Sequence, residues 1–339
     1  MAATIKDIAR TLKISTSTVS YALNGGPRTV PAEVRDRVLE TAKSLGYRPN
    51  RIARSMITGR TNTYGVVPTE VSINLARSPY SQLILNGILN AAEVLRRDVL
   101  IFTGFDQREG DHFANTLLDG RVDGVIFLAP PNENPIFAHL EEAQLPYVVT
   151  STERYPGVPT YTCDNVGGVR SALDHLYQLG HRRIATLYGK LWLDEGELRL
   201  QTFRKFMQDH GLEVPPEWMV DGDFTQNTGY EAAEKLLSCS QLPTAVFCAN
   251  DEMALGFLRA ATDRGVSIPK QISLVGFDDS PFSFGVTPSL TTVRQPLEEM
   301  GAAAIQALEA LREGRPATNR TFSTRLMVRA TTSSPPEDK

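Results

Sequence analysis

The chain has 339 residues, 35 of them basic and 39 acidic, and a formal net charge of −4. It contains no secretory leader and no apolar run of about 18 residues, so we expect a protein that is neither exported nor membrane-spanning. Three cysteines without a CxxC pair argue against a zinc site and suit the reducing cytoplasm.

The charges are segregated along the chain. Residues 1–60 contain eleven Lys and Arg but four Asp and Glu, a net of +7, which leaves −11 for the remaining residues. Attraction to phosphate is therefore confined to a basic head, and the acidic body should be repelled by a nucleic-acid duplex.

The first predicted elements are two short amphipathic helices around a three-residue turn, within residues 4–24. Thr4 can cap the first helix with Asp7 in the capping-box position, and Ser15 can cap the second helix. Small Ala9 falls where the two axes would cross most closely, as a helix-turn-helix requires. A generic helical hairpin with a polar outer face is the alternative. The positions predicted to be buried are Ile5, Ile8, Leu12, Val19, Ala22 and Leu23.

The outer face of the second helix is polar. It carries short donors and acceptors and one aromatic side chain, which suit base edges and phosphates in the major groove of DNA. The residues predicted to contact DNA in this segment are Thr4, Ser15, Thr16, Ser17, Thr18, Ser20, Tyr21 and Asn24.

A third helix is predicted after Pro31, which is acceptable at a first helical position, and it ends at Gly46. Three helices around one small core would form a DNA-binding domain over residues 1–47. The predicted buried stripe of the third helix comprises Val34, Val38, Leu39, Ala42 and Leu45.

From residue 62 the pattern changes to short apolar strands that alternate with helical stretches such as 81–96 and 109–118. This alternation is typical of parallel sheets covered by helices on both faces. Two α/β lobes side by side would enclose a cleft at the carboxyl ends of their strands, where ligands bind. The predicted strands are Tyr64–Val67, Val99–Thr103, Gly124–Leu128, Tyr147–Thr150, Ile184–Tyr188, Met219–Asp221, Ala245–Cys248 and Ser273–Val275.

Four motifs, in this order, resemble the lactose/galactose repressor (LacI) family of bacterial transcription factors. They are GYRPNRIARSMITGRTNT, LGHRRIA, CANDEMALGFLRA and VGFDDSPFSFGVTPSLTTVRQPLEEMG, and the resemblance spans about residues 4–330. It implies an α + α/β architecture, with a three-helix helix-turn-helix domain (1–47), a hinge helix (48–60) and a two-lobed periplasmic-binding-protein-like α/β core (61–330). Lobe 1 would combine 61–162 with 291–318, lobe 2 would combine 163–290 with 319–330, and 331–339 would be a disordered tail.

Residues 48–60 have helical propensity but are too few to fold alone in water. The resemblance implies that this segment pairs with its copy in a second subunit and enters the minor groove, with Met56 as an apolar wedge. A flexible tether is the alternative. The residues that would contact phosphate and sugar are Asn50, Arg51 and Arg54.

Candidate ligand contacts follow the predicted strands of both lobes. Arg199 matches the family arginine that grips ligand oxygens, and its forked donors suit that role. Asp278 and Asn250 could pair adjacent sugar hydroxyls, and Phe224 could stack on a ring face. The predicted effector contacts are Tyr80, Asp106, Ser151, Arg199, Phe224, Asn250 and Asp278.

Structural roles are the alternatives at these positions. Asn250 could serve a turn and Phe224 could belong to the core, while Asp251 and Asp279 are expected to be caps or supports rather than ligand contacts. Ser151 stands where the family frequently has aspartate, which leaves the effector's identity open.

Catalytic motifs are missing from the sequence. Five histidines lie on predicted helices or at their ends, without HExxH or GxSxG, and there is no P-loop. We expect no enzyme and no cofactor, but a repressor that binds palindromic double-stranded operator DNA as a homodimer, controlled by a small metabolite, with a sugar as the expected effector. A sugar-binding protein or sugar enzyme with an incidental basic head is the alternative. The C-terminal tail lacks the leucine heptads that join dimers into tetramers, which favours a dimer.

Overall fold

The computed structural model describes residues 3–25, 29–48, 55, 59–68, 78–103 and 110–337. Contacts divide the chain into two compact units, Met1–Thr61 and Asn62–Lys339. Within the described residues, no helix is both long enough and apolar enough to cross a membrane.

The described part of the first unit contains three short helices, α1 (Ile5–Leu12), α2 (Thr16–Asn24) and α3 (Ala32–Ser44). Each helix contributes two small or branched apolar residues to one shared core, as expected for helices with a single covered face. The core consists of Ile8, Ala9, Val19, Ala22, Val38 and Ala42, with Ile5, Leu12 and Leu23 partly buried around it. The predicted helix-turn-helix is confirmed.

The predicted buried stripe of α3 is wrong at two positions. Leu39 and Leu45 are 49% and 40% exposed, whereas Val38 and Ala42 are buried. With two neighbouring helices, α3 has one narrow covered face, and Leu39 lies about 100° around the helix from Val38. Leu45 follows the last helical residue as the C-cap and therefore lies at the very end of the helix.

The helix caps predicted for α1 and α2 are both present. The Thr4 backbone N–H and hydroxyl donate to the Asp7 carboxylate at 2.9 and 2.7 Å, and these bonds hold the pKa of Asp7 below its usual value. Ser15 Oγ accepts from the Thr18 backbone N–H at 3.0 Å. Between the helices, Lys13 adopts a left-handed conformation with φ 54°, which strains any residue other than glycine.

The second unit alternates strands and helices, as predicted. Its strands are β1 (Thr63–Pro68), β2 (Asp98–Ile101), β3 (Val125–Leu128), β4 (Tyr147–Thr150), β5 (Thr160–Cys163), β6 (Ile184–Tyr188), β7 (Met219–Asp221), β8 (Ala245–Cys248), β9 (Ser273–Asp278), β10 (Thr291–Arg294), β11 (Arg320–Phe322) and β12 (Arg325–Met327). Its helices are α4 (Pro79–Leu95), α5 (Gly110–Leu117), α6 (Ile136–Glu142), α7 (Asn165–Gln178), α8 (Asp194–Asp209), α9 (Gln226–Leu236), α10 (Asp251–Asp263) and α11 (Leu297–Arg312).

Each lobe of the second unit is built on one sheet. The strand order is β11-β5-β4-β3-β1-β2 in the first lobe and β12-β10-β9-β8-β6-β7 in the second lobe. Neighbouring strands are parallel throughout, except that β10 and β12 are antiparallel. Inner strands such as β3 and β8 are wholly buried because helices cover both faces of the sheet.

The chain passes between the lobes three times, after β5, after β10 and after β11. Helix α11 packs on α4 in the first lobe, in agreement with the predicted return of this segment. Two short strands contradict the predicted assignment, because β10 pairs with β9 in the second lobe and β11 pairs with β5 in the first lobe. Each strand extends an open sheet edge, whose backbone groups would otherwise lack partners, before the chain changes lobe.

Residues 331–337 pack against the second lobe, which contradicts the predicted disordered tail. The Leu274 N–H donates to the Thr331 carbonyl at 2.8 Å, and the Thr331 hydroxyl donates to the Leu274 carbonyl at 2.7 Å. The Ser333 N–H donates to Ser273 Oγ at 3.0 Å. Because β10 pairs with β9 only from Val275 onward, the tail supplies partners for the preceding backbone groups.

A largely buried ion-pair network centres on Glu309 in α11. Its carboxylate accepts bonds from Arg97 Nε at 2.9 Å and Nη2 at 2.5 Å, from Arg312 Nη2 at 2.8 Å and from the Tyr64 hydroxyl. These donors, the Arg97 guanidinium above all, lower the pKa of Glu309 to about 2. The network joins α11 to β1 and to the start of β2.

Candidate functional site

The polar residues predicted to contact DNA lie on or near the surface of the first unit, but several of their hydroxyls are already used. The hydroxyls of Ser15 and Thr18 are 2.8 Å apart and share a hydrogen bond, and the Thr4 hydroxyl donates to Asp7. The other predicted contacts on α2 are exposed or partly exposed: Thr16, Ser17, Ser20, Tyr21 and Asn24. The predicted hinge contacts Asn50, Arg51, Arg54 and Met56 lie outside the described residues.

The second unit encloses a cavity of about 710 Å³ between its lobes. The first lobe lines it with the ends of β1 and β3 and the start of α4, and the second lobe with the end of β9 and the first turns of α8, α9 and α10. This is the cleft at the carboxyl ends of parallel strands that the sequence predicts. The predicted contacts that line it are Tyr80, Arg199, Phe224, Asn250 and Asp278.

Arg199 is a buried and firmly held cation, only 3% exposed. Its Nε donates to Asn165 Oδ1 at 2.8 Å, and its Nη1 donates to the Ala249 carbonyl at 2.7 Å. The guanidinium also lies over the Phe277 ring, 3.9 Å from the centroid. These three contacts fix the direction in which the guanidinium points, and its forked donors are of the kind that suits a ligand oxygen.

Two buried carboxyl groups accompany Arg199 in the cleft. Asp278 ends β9 with a φ of 124°, and its Oδ1 accepts from Gln295 Nε2 at 2.6 Å. Glu195 lies on α8, four residues before Arg199 and hence on the same helix face. Burial raises the pKa of each carboxyl group to about 7, although the charge of Arg199 acts in the opposite direction. Glu195 was not predicted from the sequence, although its spacing from Arg199 could have revealed it.

Asn250 and Phe224 line the cleft and also serve the fold. Asn250 Oδ1 accepts from the Met253 backbone N–H at 3.0 Å and so caps α10, while its Nδ2 donates to the Phe224 carbonyl at 3.0 Å. Phe224 has a φ of 69°, and its ring packs where a Cβ on Gly189 would lie. Both residues therefore have the structural roles that were the alternatives to ligand binding. Ligand contacts by Asn250 and Phe224 stay predictions.

Tyr80 reaches the cleft from the first turn of α4, and its hydroxyl is hydrogen-bonded to the Ser151 hydroxyl. Burial raises the pKa of the Tyr80 phenol well above its usual value, so this group is a neutral donor or acceptor. Ser151 is buried and does not itself line the cavity, so it can act on a ligand only through Tyr80. Asp106 lies outside the described residues.

Asp251 and Asp279 have the supporting contacts expected of them. Asp251 is fully buried and accepts from the Ser280 backbone N–H at 2.7 Å. Asp279 forms salt bridges with Arg294 at 2.6 Å and with Arg329 at 2.5 Å. Neither aspartate lines the cavity.

Two further carboxyl groups line the cleft, Asp223 and Glu252, and neither was predicted. Burial opposes ionisation of Asp223, but hydrogen bonds from the Thr225 and Thr228 hydroxyls, both at 2.6 Å, outweigh it and lower the pKa. Glu252 Oε2 accepts from Gln226 Nε2 at 3.0 Å. Glu252 Oε1 is buried and has no hydrogen-bond partner within the described part of the chain.

A cluster of polar contacts, here called the inter-lobe clasp, joins the lobes beside the cleft. Asp194, the first residue of α8, accepts from the Thr152 hydroxyl at 3.2 Å, the Glu153 N–H at 2.9 Å and Arg154 Nε at 2.7 Å. Arg154 Nη2 donates to Glu197 Oε2 at 2.5 Å. The donors follow β4 in the first lobe, and the two carboxylates belong to the second lobe.

A second contact between the lobes supports the same helix. The Asn132 N–H, after β3, donates to the carbonyl of Trp192, shortly before α8. With the clasp, it fixes the start of the helix that carries Glu195 and Arg199. None of these contacts between the lobes was predicted from the sequence.

His181 has a structural role. It is 1% exposed, with Nδ1 2.9 Å from the Thr244 hydroxyl and Nε2 3.0 Å from the Ser273 hydroxyl. Burial lowers the pKa of its imidazole, which is therefore held neutral between these hydroxyls. Among the described residues, no group of three or more His, Cys, Asp or Glu side chains is placed to hold a metal ion.

Two protein-family descriptions match the chain. Residues 4–50 match "Bacterial regulatory proteins, lacI family", and residues 173–332 match "Periplasmic binding protein-like domain". Among curated proteins, catabolite control protein A of Priestia megaterium is 34% identical over 311 residues, which cover 91% of this chain and 92% of that protein.

Solved structures resemble the chain over nearly its whole length. A complex of the transcriptional regulator CelR with cellobiose has a TM-score of 0.74 and 32% identity, covering 97% of this chain and 99% of that one. The lac repressor dimer bound to operator and the anti-inducer ONPF has a TM-score of 0.86 and 27% identity, covering 98% and 100%. The similarity therefore includes both the helical unit and the two-lobed unit.

Proposed function

Because this chain belongs to the lacI family of bacterial regulatory proteins, it is a transcriptional regulator, and we propose that it is a repressor that binds a palindromic operator as a homodimer. A small metabolite in the cleft, most simply a sugar, would control this binding. One observation carries the proposal: a single chain combines a helix-turn-helix in a basic segment with a ligand-sized cleft in its acidic body. The cleft contains the hydrogen-bonded Arg199 and buried carboxyl groups.

DNA binding is supported by the charge and shape of the first unit. The net charge of +7 in residues 1–60 attracts phosphate, and the polar face of α2 suits base edges. The related lac repressor has been solved as a dimer bound to its operator. We propose the same assembly here, with Thr16, Ser17 and Tyr21 toward the bases and Met56 as the minor-groove wedge.

Sugar binding is supported by the donor and acceptor set of the cleft. Arg199, Glu195 and Asp278 come from the second lobe and Tyr80 comes from the first, so a ligand that contacts all four would hold the lobes together. The related regulator CelR has been solved with cellobiose. Coupling between ligand and operator must then be reciprocal, whichever sign it has. We place the protein in the cytoplasm with its operator and propose no catalytic activity, since the named relatives are regulators.

The salt dependence of operator binding tests the proposal. A selection from random duplexes should first yield an inverted repeat, with or without added sugars. Affinity for this repeat should then fall about a thousandfold or more between low and moderate salt if six or more phosphates are contacted. A scrambled duplex of equal length is the control. If no inverted repeat is enriched over random DNA, across the sugar panel, the proposal is wrong.

A further inference from the structure

We infer that the effector is a sugar without an anionic group, and that the cleft selects such a sugar against its phosphate ester. The inference rests on the proposed function and specifies the ligand class of the same cleft. Among the residues that the structure describes, four carboxyl groups line the cavity together with two basic side chains, Lys190 and Arg199. The four carboxyl groups are those of Glu195, Asp223, Glu252 and Asp278.

Among the described residues, the buried part of the cleft holds two carboxyl groups around one cation. Glu195 and Asp278 are 7% and 4% exposed, and Arg199 is 3% exposed. Arg199 already donates two hydrogen bonds to the protein. Burial raises the pKa of both carboxyl groups to about 7, because one guanidinium cannot compensate for their loss of water. A ligand phosphate would add further negative charge where the protein already resists it.

Lys190 does not provide a phosphate site. Its charge helps to keep Asp223 ionised, and its ammonium group lies 5.3 Å from the centre of the Trp192 ring. The carboxylate of Asp223 lines the same cavity. A phosphate at Lys190 would therefore compete with a carboxylate that the protein supplies.

Three of the four helix N-termini around the cleft already carry a side-chain cap, and α8 is the exception. Helix ends usually attract phosphate through their unpaired N–H groups and their positive dipole. Here Ser78 caps α4, Thr225 caps α9 and Asn250 caps α10, each with its side-chain oxygen on a backbone N–H. Helices α8 and α10 have two or more acidic residues in their first turns, Glu195 and Glu252 among them. Each cap pairs one backbone N–H, and the acidic side chains oppose a further negative charge at these helix ends.

The cleft does offer acceptors to a ligand that brings donors. Glu252 Oε1 is buried without a hydrogen-bond partner among the described residues, although Oε2 accepts from Gln226. Sugar hydroxyls are donors of this kind, and an ammonium group on an amino sugar is a stronger one. An uncharged sugar or an amino sugar can thus donate hydrogen bonds to these carboxyl groups, whereas the phosphate of a phosphate ester would be repelled by them.

Binding measured on the full-length protein with matched ligands tests the inference. The panel is glucose, galactose, ribose and cellobiose, with the terminal phosphate ester of each monosaccharide, and glucosamine. For the monosaccharide that binds best, we expect the ester to bind about a hundredfold more weakly or worse, as unpaired charge in a buried site predicts. Isothermal titration calorimetry gives both dissociation constants.

A charge-neutral variant makes the test specific to the cleft. Glu252→Gln should reduce the ratio between the two dissociation constants about tenfold, because one like charge is removed at nearly constant shape. Glu231→Gln is the matched control, since Glu231 is an exposed carboxylate of α9 that does not line the cavity. Tighter or equal binding of a phosphate ester would overturn the inference alone. If no sugar of either kind binds, the proposed function falls, and the inference with it.

Discussion

Replacing Arg154 with methionine removes the cation from the inter-lobe clasp and keeps most of the aliphatic stem. Arg154 Nε lies 2.7 Å from Asp194 Oδ1, and its Nη2 lies 2.5 Å from Glu197 Oε2. These bonds join the two lobes, so they stabilise only the arrangement in which the lobes are together. We therefore expect Arg154→Met to weaken effector binding while each lobe stays folded.

The expected size of the effect follows from the burial of the partners. The Asp194 side chain is 5% exposed, but the Arg154 side chain is 40% exposed, so solvent screens part of the interaction. Thr152 and Glu153 also continue to donate to Asp194 in the variant. A charged hydrogen bond contributes up to about 3 kcal/mol, and an exposed ion pair contributes nearly nothing. We therefore expect the variant to lose about 1.4 kcal/mol of binding free energy, which is a tenfold rise in the dissociation constant.

Isothermal titration calorimetry with the best-binding sugar measures this rise. Arg315→Met is the matched control, because Arg315 is also paired with a carboxylate, Glu313, within one short segment that joins no lobes. The control should bind the sugar as the wild type does. Equal affinity of wild type, Arg154→Met and Arg315→Met would refute the reasoning, and an equal loss in both variants would show that the clasp has no special role.

Three further predictions concern the cleft and the core. Arg199→Ala should abolish the effector response and leave operator binding intact, which gel-shift titrations with and without sugar check; a normal response would exclude Arg199 from the site. Folding raises the pKa of Asp278 to about 7 from an ordinary value near 4, so the wild type loses stability as the pH rises between these values. Asp278→Asn should therefore raise the melting temperature at about pH 8 and give little gain near pH 4, by scanning fluorimetry; a gain independent of pH would contradict this. Glu309→Ala leaves Arg97 without its carboxylate, and Arg312 with Asp123 at 3.7 Å, and should lower the free energy of unfolding by about 3–5 kcal/mol in urea titrations; a loss below about 1 kcal/mol would show that the network is not coupled.

Much of the fold could be predicted because inner strands carry a local signal. β3 and β8 are buried on both faces and appear as continuous apolar runs. β5 was not predicted, because Thr160–Cys163 is not a continuous apolar run: its two threonines alternate with Tyr161 and Cys163. Part of the burial of β5 comes from the packing of α11. The lobe that each of β10 and β11 joins depends on which sheet edge is open once the other strands have assembled. No local sequence pattern encodes which edge that is.

The candidate site divides in the same way. Arg199 and Asp278 stand in recognisable motifs and line the cleft. Asp194 and Arg154, by contrast, meet only because loops from two lobes come together, and each alone resembles an ordinary surface charge. The role of Phe224 also depends on tertiary structure, because its ring packs on Gly189. Contacts between distant segments are what the sequence does not disclose.

The three passages between the lobes have a consequence for biosynthesis. The outermost strand at one edge of each sheet comes from the final part of the chain, Arg320–Phe322 in one and Arg325–Met327 in the other. A ribosome must therefore translate the message past Arg320 before either sheet can be completed. A premature stop codon just before Arg320 would remove an edge strand from both sheets at once. No contiguous piece of the gene encodes one entire lobe without part of the other.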